Sequence, residues 1–125
     1  MDRRVGSLGG VKPERKQGTR LDEYVPPILS AEQATATFAL KPFLKAVADV
    51  NRLAILQELA RQDGLSVLDL SDRLVLSQPL TSWHLHILKR ARLVSPTHVG
   101  RQRIYRLNRD RLQEYRELFN WLIDL

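Results

Sequence analysis

The sequence contains no cysteine. This absence excludes disulfides, thiolate metal sites, iron–sulfur clusters and a cysteine nucleophile, and it agrees with a reducing compartment. Long apolar runs are also missing, since no stretch approaches the roughly 18 residues that span a bilayer. Residues 6–20 are too polar to contain the apolar core of a signal peptide. The sequence therefore predicts a cytoplasmic protein with no membrane-spanning segment.

Acidic residues are in the minority. The chain has 14 Asp and Glu against 20 Lys and Arg, which gives a net charge of +6 and a pI near 10.2. Its 125 residues suit about one domain, and a hydrophobic fraction of 43% is enough for a small core. A basic balance of this size favours a polyanionic partner, either a nucleic acid or an anionic membrane surface.

Residues 1–29 are interpreted as a basic N-terminal arm. Up to Arg20 this segment has six basic and two acidic residues, and several glycines interrupt any periodicity. It cannot bury enough apolar surface to offset its ordering entropy. The simplest interpretation is a flexible terminus, and the functional alternative is an arm that contacts DNA phosphates. Residues 30–125 are predicted to form the folded domain.

Helix-capping residues precede each apolar run of that domain, and they predict about five helices. These residues are Ser30, Asp49, Ser66, Ser77 and Asn108. Pro42 lies inside the first run and predicts a kink or break near Leu40. In the second helix we expect Leu53, Leu56, Leu59 and Ala60 to share the buried face. In the fourth helix, which starts at Gln78, the buried stripe is predicted at Thr81, Leu85 and Leu88.

The pattern changes to period two after Leu93. Residues 93–97 and 102–107 are predicted to be two strands around a turn at residues 98–101. Two short helices joined by a tight turn, followed by a two-stranded ribbon, are typical of a winged helix-turn-helix. The fold class is therefore predicted to be α+β, mostly α. In this arrangement the second helix enters the DNA major groove, and the ribbon reaches the flanking backbone or minor groove.

The charge distribution supports a DNA partner. The window from Arg73 to Arg109 contains eight basic residues and no Asp or Glu. The candidate DNA-binding residues lie in the fourth helix and in the ribbon: Ser77, Gln78, Pro79, Ser82, Trp83, His86, Lys89, Arg101, Gln102 and Arg103. Gln78 can pair with adenine, and Lys89 is suited to a phosphate. Trp83 is expected either to contact DNA or to pack against the ribbon.

No metal, cofactor or catalytic site is predicted. His84 and His86 lie two residues apart on a helix and point about 200° away from each other, so one ion cannot bind both. His84 is expected to be a hydrogen-bonded residue at the edge of the core. Asp69 and Asp72 have no partner base or nucleophile, and we interpret them as surface charges. The protein is therefore not expected to be an enzyme.

Three ordered blocks of sequence resemble the ArsR/SmtB family of bacterial winged-helix repressors. The blocks are Leu44–Leu56, Leu76–Leu88, and Leu93-Val94 with Gly100–Leu107. This resemblance implies a homodimer that binds a double-stranded operator and represses transcription. The dimer would join through the first and last helices, at residues Phe38, Phe43, Leu112, Tyr115, Leu118, Phe119 and Leu122. A broad apolar face on the last helix is what such an interface requires.

The sequence departs from this family where sensing takes place. Metal-sensing members have cysteines in the third helix, whereas this chain has Ser66 and Leu68 at those positions. Other members bind zinc with histidine on the last helix, and the last helix of this chain has no histidine. The resemblance therefore predicts a regulator without the usual metal site. The sequence leaves open which signal regulates it. The alternative function is a winged-helix protein-interaction module that binds no operator.

Overall fold

The computed structural model describes residues 24–124. The basic residues of the predicted arm, up to Arg20, lie outside this range. The chain divides between Ala39 and Leu40 into two compact units. In the first unit, the Ser30 hydroxyl accepts a hydrogen bond from the Gln33 backbone N–H at 3.0 Å, and the Gln33 side chain accepts from the Ser30 N–H at 2.9 Å. This reciprocal pair is the predicted cap of the first helix.

Five helices and three strands follow one another along the described residues. Helix α1 spans Ala31–Val47 and α2 spans Val50–Arg61. The short strand β1 at Leu65–Ser66 precedes α3 at Val67–Leu74 and α4 at Gln78–Arg90. The hairpin β2 (Val94–Val99) and β3 (Gln102–Leu107) then leads into α5 at Arg109–Asp124. This order confirms the predicted winged helix-turn-helix, in which α3 and α4 are the helix pair and β2–β3 is the wing.

Of the kink or break predicted near Leu40 in α1, the break is wrong. The helix is uninterrupted at Pro42. Proline removes only its own N–H and its fixed φ angle is compatible with a helix, so the remaining hydrogen bonds of α1 can continue past it.

The capping signals were accurate guides to the other helices. The side chains of Asp49, Ser66, Ser77 and Asn108 each accept a hydrogen bond from the backbone N–H three residues later, at 3.0 to 3.2 Å. Asp69, expected to be only a surface charge, also completes the cap of α3, because its carboxylate accepts from the Ser66 N–H at 3.1 Å. The starts of these four helices are therefore fixed locally by their own sequence.

The sheet differs from the prediction in two details. Strand β1 pairs antiparallel with β3, opposite Ile104 and Tyr105, so the sheet has three strands in the order β1-β3-β2. Strand β2 also continues to Val99, which pairs with Gln102. The turn is therefore two residues long, not four, and Gly100 supplies the positive φ angle of 63° that such a tight turn favours.

The core of the second unit is aliphatic. Its fully buried members from α2 to β2 are Ile55, Leu59, Leu65, Leu70, Leu85, Leu88 and Leu93. In α2 the buried residues are Ile55 and Leu59, whereas Leu53 is 43% exposed and Ala60 is also exposed. The prediction for α2 is therefore confirmed at Leu59 and at Leu56, which packs against the core, and wrong at Leu53 and Ala60, because residues 53–56 are all apolar and their pattern does not select one side.

Candidate nucleic-acid interface

Helix α4 has one buried side and one exposed side. Thr81, Leu85 and Leu88 are fully buried, as predicted, and His84 is 5% exposed on the same side. The Thr81 hydroxyl donates to the Ser77 carbonyl at 2.9 Å, so its polar group is satisfied inside the helix. This buried side fixes the rotation of α4 on the core and thereby decides which side chains face solvent.

The predicted DNA-binding residues of α4 all lie on the exposed side. They are Ser77 at the N-cap, followed by Gln78, Pro79, Ser82, Trp83, His86 and Lys89. Pro79 lies in the first turn, where a helix makes no use of the missing N–H. Trp83 is 57% exposed, a large value for an indole ring. Leu80, which the sequence reasoning left out, is also exposed in the first turn and adds an apolar surface there.

The wing presents a second exposed group. Arg101, Gln102 and Arg103 lie at the tip of the hairpin and on the start of β3, and all three are exposed. The Arg103 guanidinium lies 5.6 Å from the ring centroid of Tyr105, a cation–π distance that leaves the side chain accessible. Val99 is likewise exposed at the tip; its place within the predicted turn at residues 98–101 was its only signal in the sequence.

Three basic residues of the acid-free window are held by the protein itself. Arg73 donates to Glu58 at 3.0 Å and to Gln62 at 2.6 Å. Arg106 lies 3.5 Å from Asp63 and donates to Thr97 at 2.9 Å. Arg109 donates to the backbone carbonyl of Ala60 at 3.1 Å.

The remaining basic residues of the window define the candidate interface. These are Lys89, Arg90, Arg92, Arg101 and Arg103, all exposed at the end of α4 or in the wing. Within residues 24–124, no salt bridge is recorded for any of the five. Exposed cations beside exposed hydrogen-bonding side chains are what binding to a phosphate backbone and to base edges requires.

Some of the residues predicted for the dimer pack inside their own chain, and others are half-buried or exposed. Phe43 stacks on Tyr115 with ring centroids 4.8 Å apart, and the Tyr115 hydroxyl donates to the Ala91 carbonyl at 3.3 Å. Tyr115 is thus buried in its own chain and anchors α5 to the end of α4. Leu112, Leu118 and Leu122 are half-buried, Phe119 is 46% exposed, and Phe38 is half-buried in the first unit.

An open apolar groove of about 650 Å³ lies between the C-terminal part of α1 and α5. Phe43, Leu44, Leu112, Tyr115 and Phe119 form its apolar lining. Four of these five belong to the predicted dimer surface. The exception is Leu44, which is half-exposed in α1.

Residues 24–124 contain no group of three or more His, Asp or Glu side chains placed to hold a metal ion. Within the same range, none of the helices has both the length and the apolar character needed to cross a membrane.

The fold and the exposed face of α4 define a winged helix-turn-helix protein. The family model described as bacterial regulatory protein, arsR family, matches residues 49–95. A transcriptional repressor SmtB homolog from Synechocystis sp. is 36% identical over 98 residues, which are 78% of this chain and 71% of the relative. The chain belongs to the ArsR/SmtB family of winged helix-turn-helix transcriptional regulators, whose members bind DNA.

Two solved structures extend the comparison. Reduced HlyU from Vibrio cholerae has a TM-score of 0.61 and 34% identity, covering 74% of this chain and 97% of that one. A homodimeric winged helix-turn-helix DNA-binding domain from Mycobacterium bovis, a possible ArsR-family regulator, has a TM-score of 0.60 and 25% identity, covering 77% of this chain and 88% of that one. Both likenesses agree with the assigned family and fold.

Proposed function

We propose that the protein is a homodimeric repressor that binds one double-stranded operator and works without the metal site of its metal-sensing relatives. The observation that carries this proposal is that α4 has one buried side and one exposed side. Its core-facing side is sealed by Thr81, Leu85 and Leu88, so Gln78, Ser82 and Trp83 are left exposed beside the cations of the wing. An exposed helix of this kind, flanked by a basic ribbon, suits the major groove.

Dimerisation is supported by the apolar surface of α5. Phe119 is 46% exposed at the edge of the groove. An aromatic side chain this exposed is favourable when a second protein surface covers it. The homodimeric relative from Mycobacterium bovis has the same fold. In a two-fold dimer, the two α4 helices would enter successive major grooves about 34–36 Å apart.

Independence from metal is supported by the roles of the residues in the sensing region. The Ser66 hydroxyl accepts a hydrogen bond from the Asp69 N–H at 3.0 Å and is used as a helix cap. Leu68 is half-exposed and has no donor atom. Neither residue offers the soft ligand that thiophilic metals select.

The experiment is a selection of bound duplexes from a random library, carried out with chelator and again with added zinc. We expect one consensus with dyad symmetry, half-sites about 10–10.5 base pairs apart, and the same affinity in both conditions. A consensus without dyad symmetry would contradict the dimer, and binding that depends on zinc would contradict metal independence. No enrichment of any sequence would favour the protein-interaction module instead.

Repression is tested separately with a reporter gene that carries the selected consensus in its promoter. Expression should fall when the regulator is present, and it should recover when Gln78→Ala is introduced. A rise in expression with the unsubstituted protein would make it an activator.

A further inference from the structure

A buried polar cluster lies behind the DNA-reading side of α4. His84, on the core side of that helix, is 5% exposed. Its Nδ1 atom lies 3.1 Å from Nη1 of Arg52 and 4.0 Å from a carboxylate oxygen of Asp49. A guanidinium has only donors, so the shorter contact is a hydrogen bond only when His84 Nδ1 carries a lone pair. The ring that fits this geometry is neutral and carries its proton on Nε2.

The same Arg52 side chain binds the end of α1. Its Nε donates to the Ala46 carbonyl at 2.6 Å, and Nη2 donates to the Lys45 carbonyl at 3.4 Å. The last four carbonyls of a helix have no partner inside it, so Arg52 satisfies two groups that would otherwise lack one. Asp49 accepts from the Arg52 N–H at 3.1 Å and caps α2. A single side chain thus joins α1, α2 and α4.

The charges around His84 all come from α2 and its cap. Arg52 and Asp49 are the charged groups recorded within 4 Å of the ring among residues 24–124, and Lys45 of α1 contributes only its carbonyl. Helix α3 and strand β2 also pack on α4, and no charged side chain of theirs is recorded against the ring in that range. The hydrogen bond from the Arg52 N–H, helped by the charge of Arg52, holds the pKa of Asp49 below its ordinary 3.8, against the effect of desolvation. Asp49 therefore stays ionised wherever a histidine titrates.

We propose that Arg52 and His84 are positioning residues that fix α4 on the end of α1, and that DNA recognition requires the neutral form of His84. This inference rests on the proposed function. A proton on Nδ1 would replace the hydrogen bond with two cations 3.1 Å apart. The ring would then be repelled by Arg52 and attracted by Asp49, which would weaken the link from α4 to α2 and to the end of α1.

The cluster also lies between two surfaces that the proposed function uses. Lys45 and Ala46 follow Phe43 closely in α1, and Phe43 lines the groove of the predicted dimer surface. His84 follows Trp83 directly in α4. Arg52 is therefore placed to transmit a displacement of α1 to the DNA-reading helix.

The first experiment isolates His84 from the other histidines. The chain has three histidines, so replacing His86 and His98 with Gln leaves His84 alone. This background is compared with the same background that also carries His84→Asn, since an amide oxygen can accept from Arg52 but does not titrate. Affinity for the selected duplex is measured at pH 8 and pH 6 at one salt concentration. Circular dichroism checks that both proteins are folded.

We expect the background to bind the duplex more weakly at pH 6 than at pH 8, because a proton on His84 Nδ1 removes the hydrogen bond from Arg52. The His84→Asn protein should change less than about twofold. A protonation that only added positive charge would strengthen DNA binding instead. Equal pH dependence in the two proteins, or tighter binding of the background at pH 6, would overturn the proposal.

A second experiment needs no DNA and therefore separates this inference from the proposed function. Long-range proton–nitrogen spectra of the unsubstituted protein at pH 8 should show the His84 ring protonated on Nε2 and bare on Nδ1. A proton on Nδ1 at that pH overturns the proposal. If the spectra agree but no duplex is bound, the pairing of Arg52 with His84 stands, and its role in DNA recognition falls with the proposed function.

Arg52→Lys provides a third test, because one ammonium cannot satisfy two carbonyls and a ring nitrogen in the fork geometry of a guanidinium. In the background lacking His86 and His98, this variant should bind DNA at pH 8 about tenfold more weakly than the same background with Arg52. The ratio of its affinities at pH 8 and pH 6 should be below about two. Retention of the full pH dependence without Arg52 would contradict the pairing.

Discussion

The salt dependence of DNA binding is the sharpest quantitative prediction, because the structure separates cations that can reach phosphates from cations already in use. The acid-free window has eight basic residues. Arg73, Arg106 and Arg109 are bonded within the protein. Five per protomer are left for DNA. The change we consider is Arg101→Ala at the tip of the wing, where the side chain is exposed.

The magnitude follows from counterion release. The slope of log K against log salt is about −0.9 for each phosphate neutralised. If all five cations of both protomers bind phosphates, the slope is at most about −9. Arg101→Ala removes one contact from each protomer, so we expect the slope to become shallower by about 1.8. Affinity should fall similarly on operator and random duplexes, because a phosphate contact reads no sequence.

The assay is fluorescence anisotropy on a labelled duplex over a series of salt concentrations. Arg73→Ala is the matched control, since it removes the same charge from a residue that pairs with Glu58 at 3.0 Å. Its slope should equal that of the unsubstituted protein. An equal change of slope in both variants would show that overall charge, and not position in the wing, sets the affinity, and would refute this reasoning.

Four further predictions address recognition, assembly and stability. Gln78→Ala should lower the preference for the operator by about 1–3 kcal/mol; an equal loss on random DNA would remove Gln78 as a base reader. Phe119→Glu should convert the dimer to a monomer in light scattering, whereas Leu68→Glu, at a similarly exposed leucine (49% against 46%), should not. Gly64→Ala should destabilise the fold by about 1–3 kcal/mol in denaturant unfolding, because the φ angle is +92° and a Cβ would lie 3.0 Å from a β3 side chain; unchanged stability would contradict this. Since the pKa of Asp49 is lowered in the fold, its carboxylate stabilises the protein above pH 3.8, and this contribution is lost as the pH falls through the lowered pKa. Asp49→Asn should flatten the acid limb of the stability curve, and an unchanged limb would argue against it.

Most of the fold could be predicted from local signals. The caps at Asp49, Ser66, Ser77 and Asn108 act within one helical turn, so sequence alone identifies them. The buried stripe of α4 was also recoverable, because Thr81, Leu85 and Leu88 recur at the i, i+4, i+7 spacing of one helix face. The cap at Ser77 and the buried stripe together predict which side of α4 is exposed. The candidate interface lies on that side.

The errors arose where a distant partner decides the outcome. The side of α2 that is buried depends on its neighbours, so Leu53 was assigned inward although it faces solvent. Strand β1 is two residues long, which is too short to show a period, and exists because β3 pairs with it. Arg52 had no local signal as a positioning residue, since it meets His84 across 32 positions of sequence.

The measurement that tests the central claim most directly is site-specific cleavage of the selected duplex. Because the chain has no cysteine, Ser82→Cys creates a unique attachment point for an iron chelate on the exposed side of α4. Arg61→Cys, on the exposed end of α2, is the control. We expect the chelate at position 82 to cut inside two major grooves about one helical turn apart, and the chelate at position 61 not to cut there. Cleavage from position 61 alone would contradict the assignment of α4 as the DNA-reading helix.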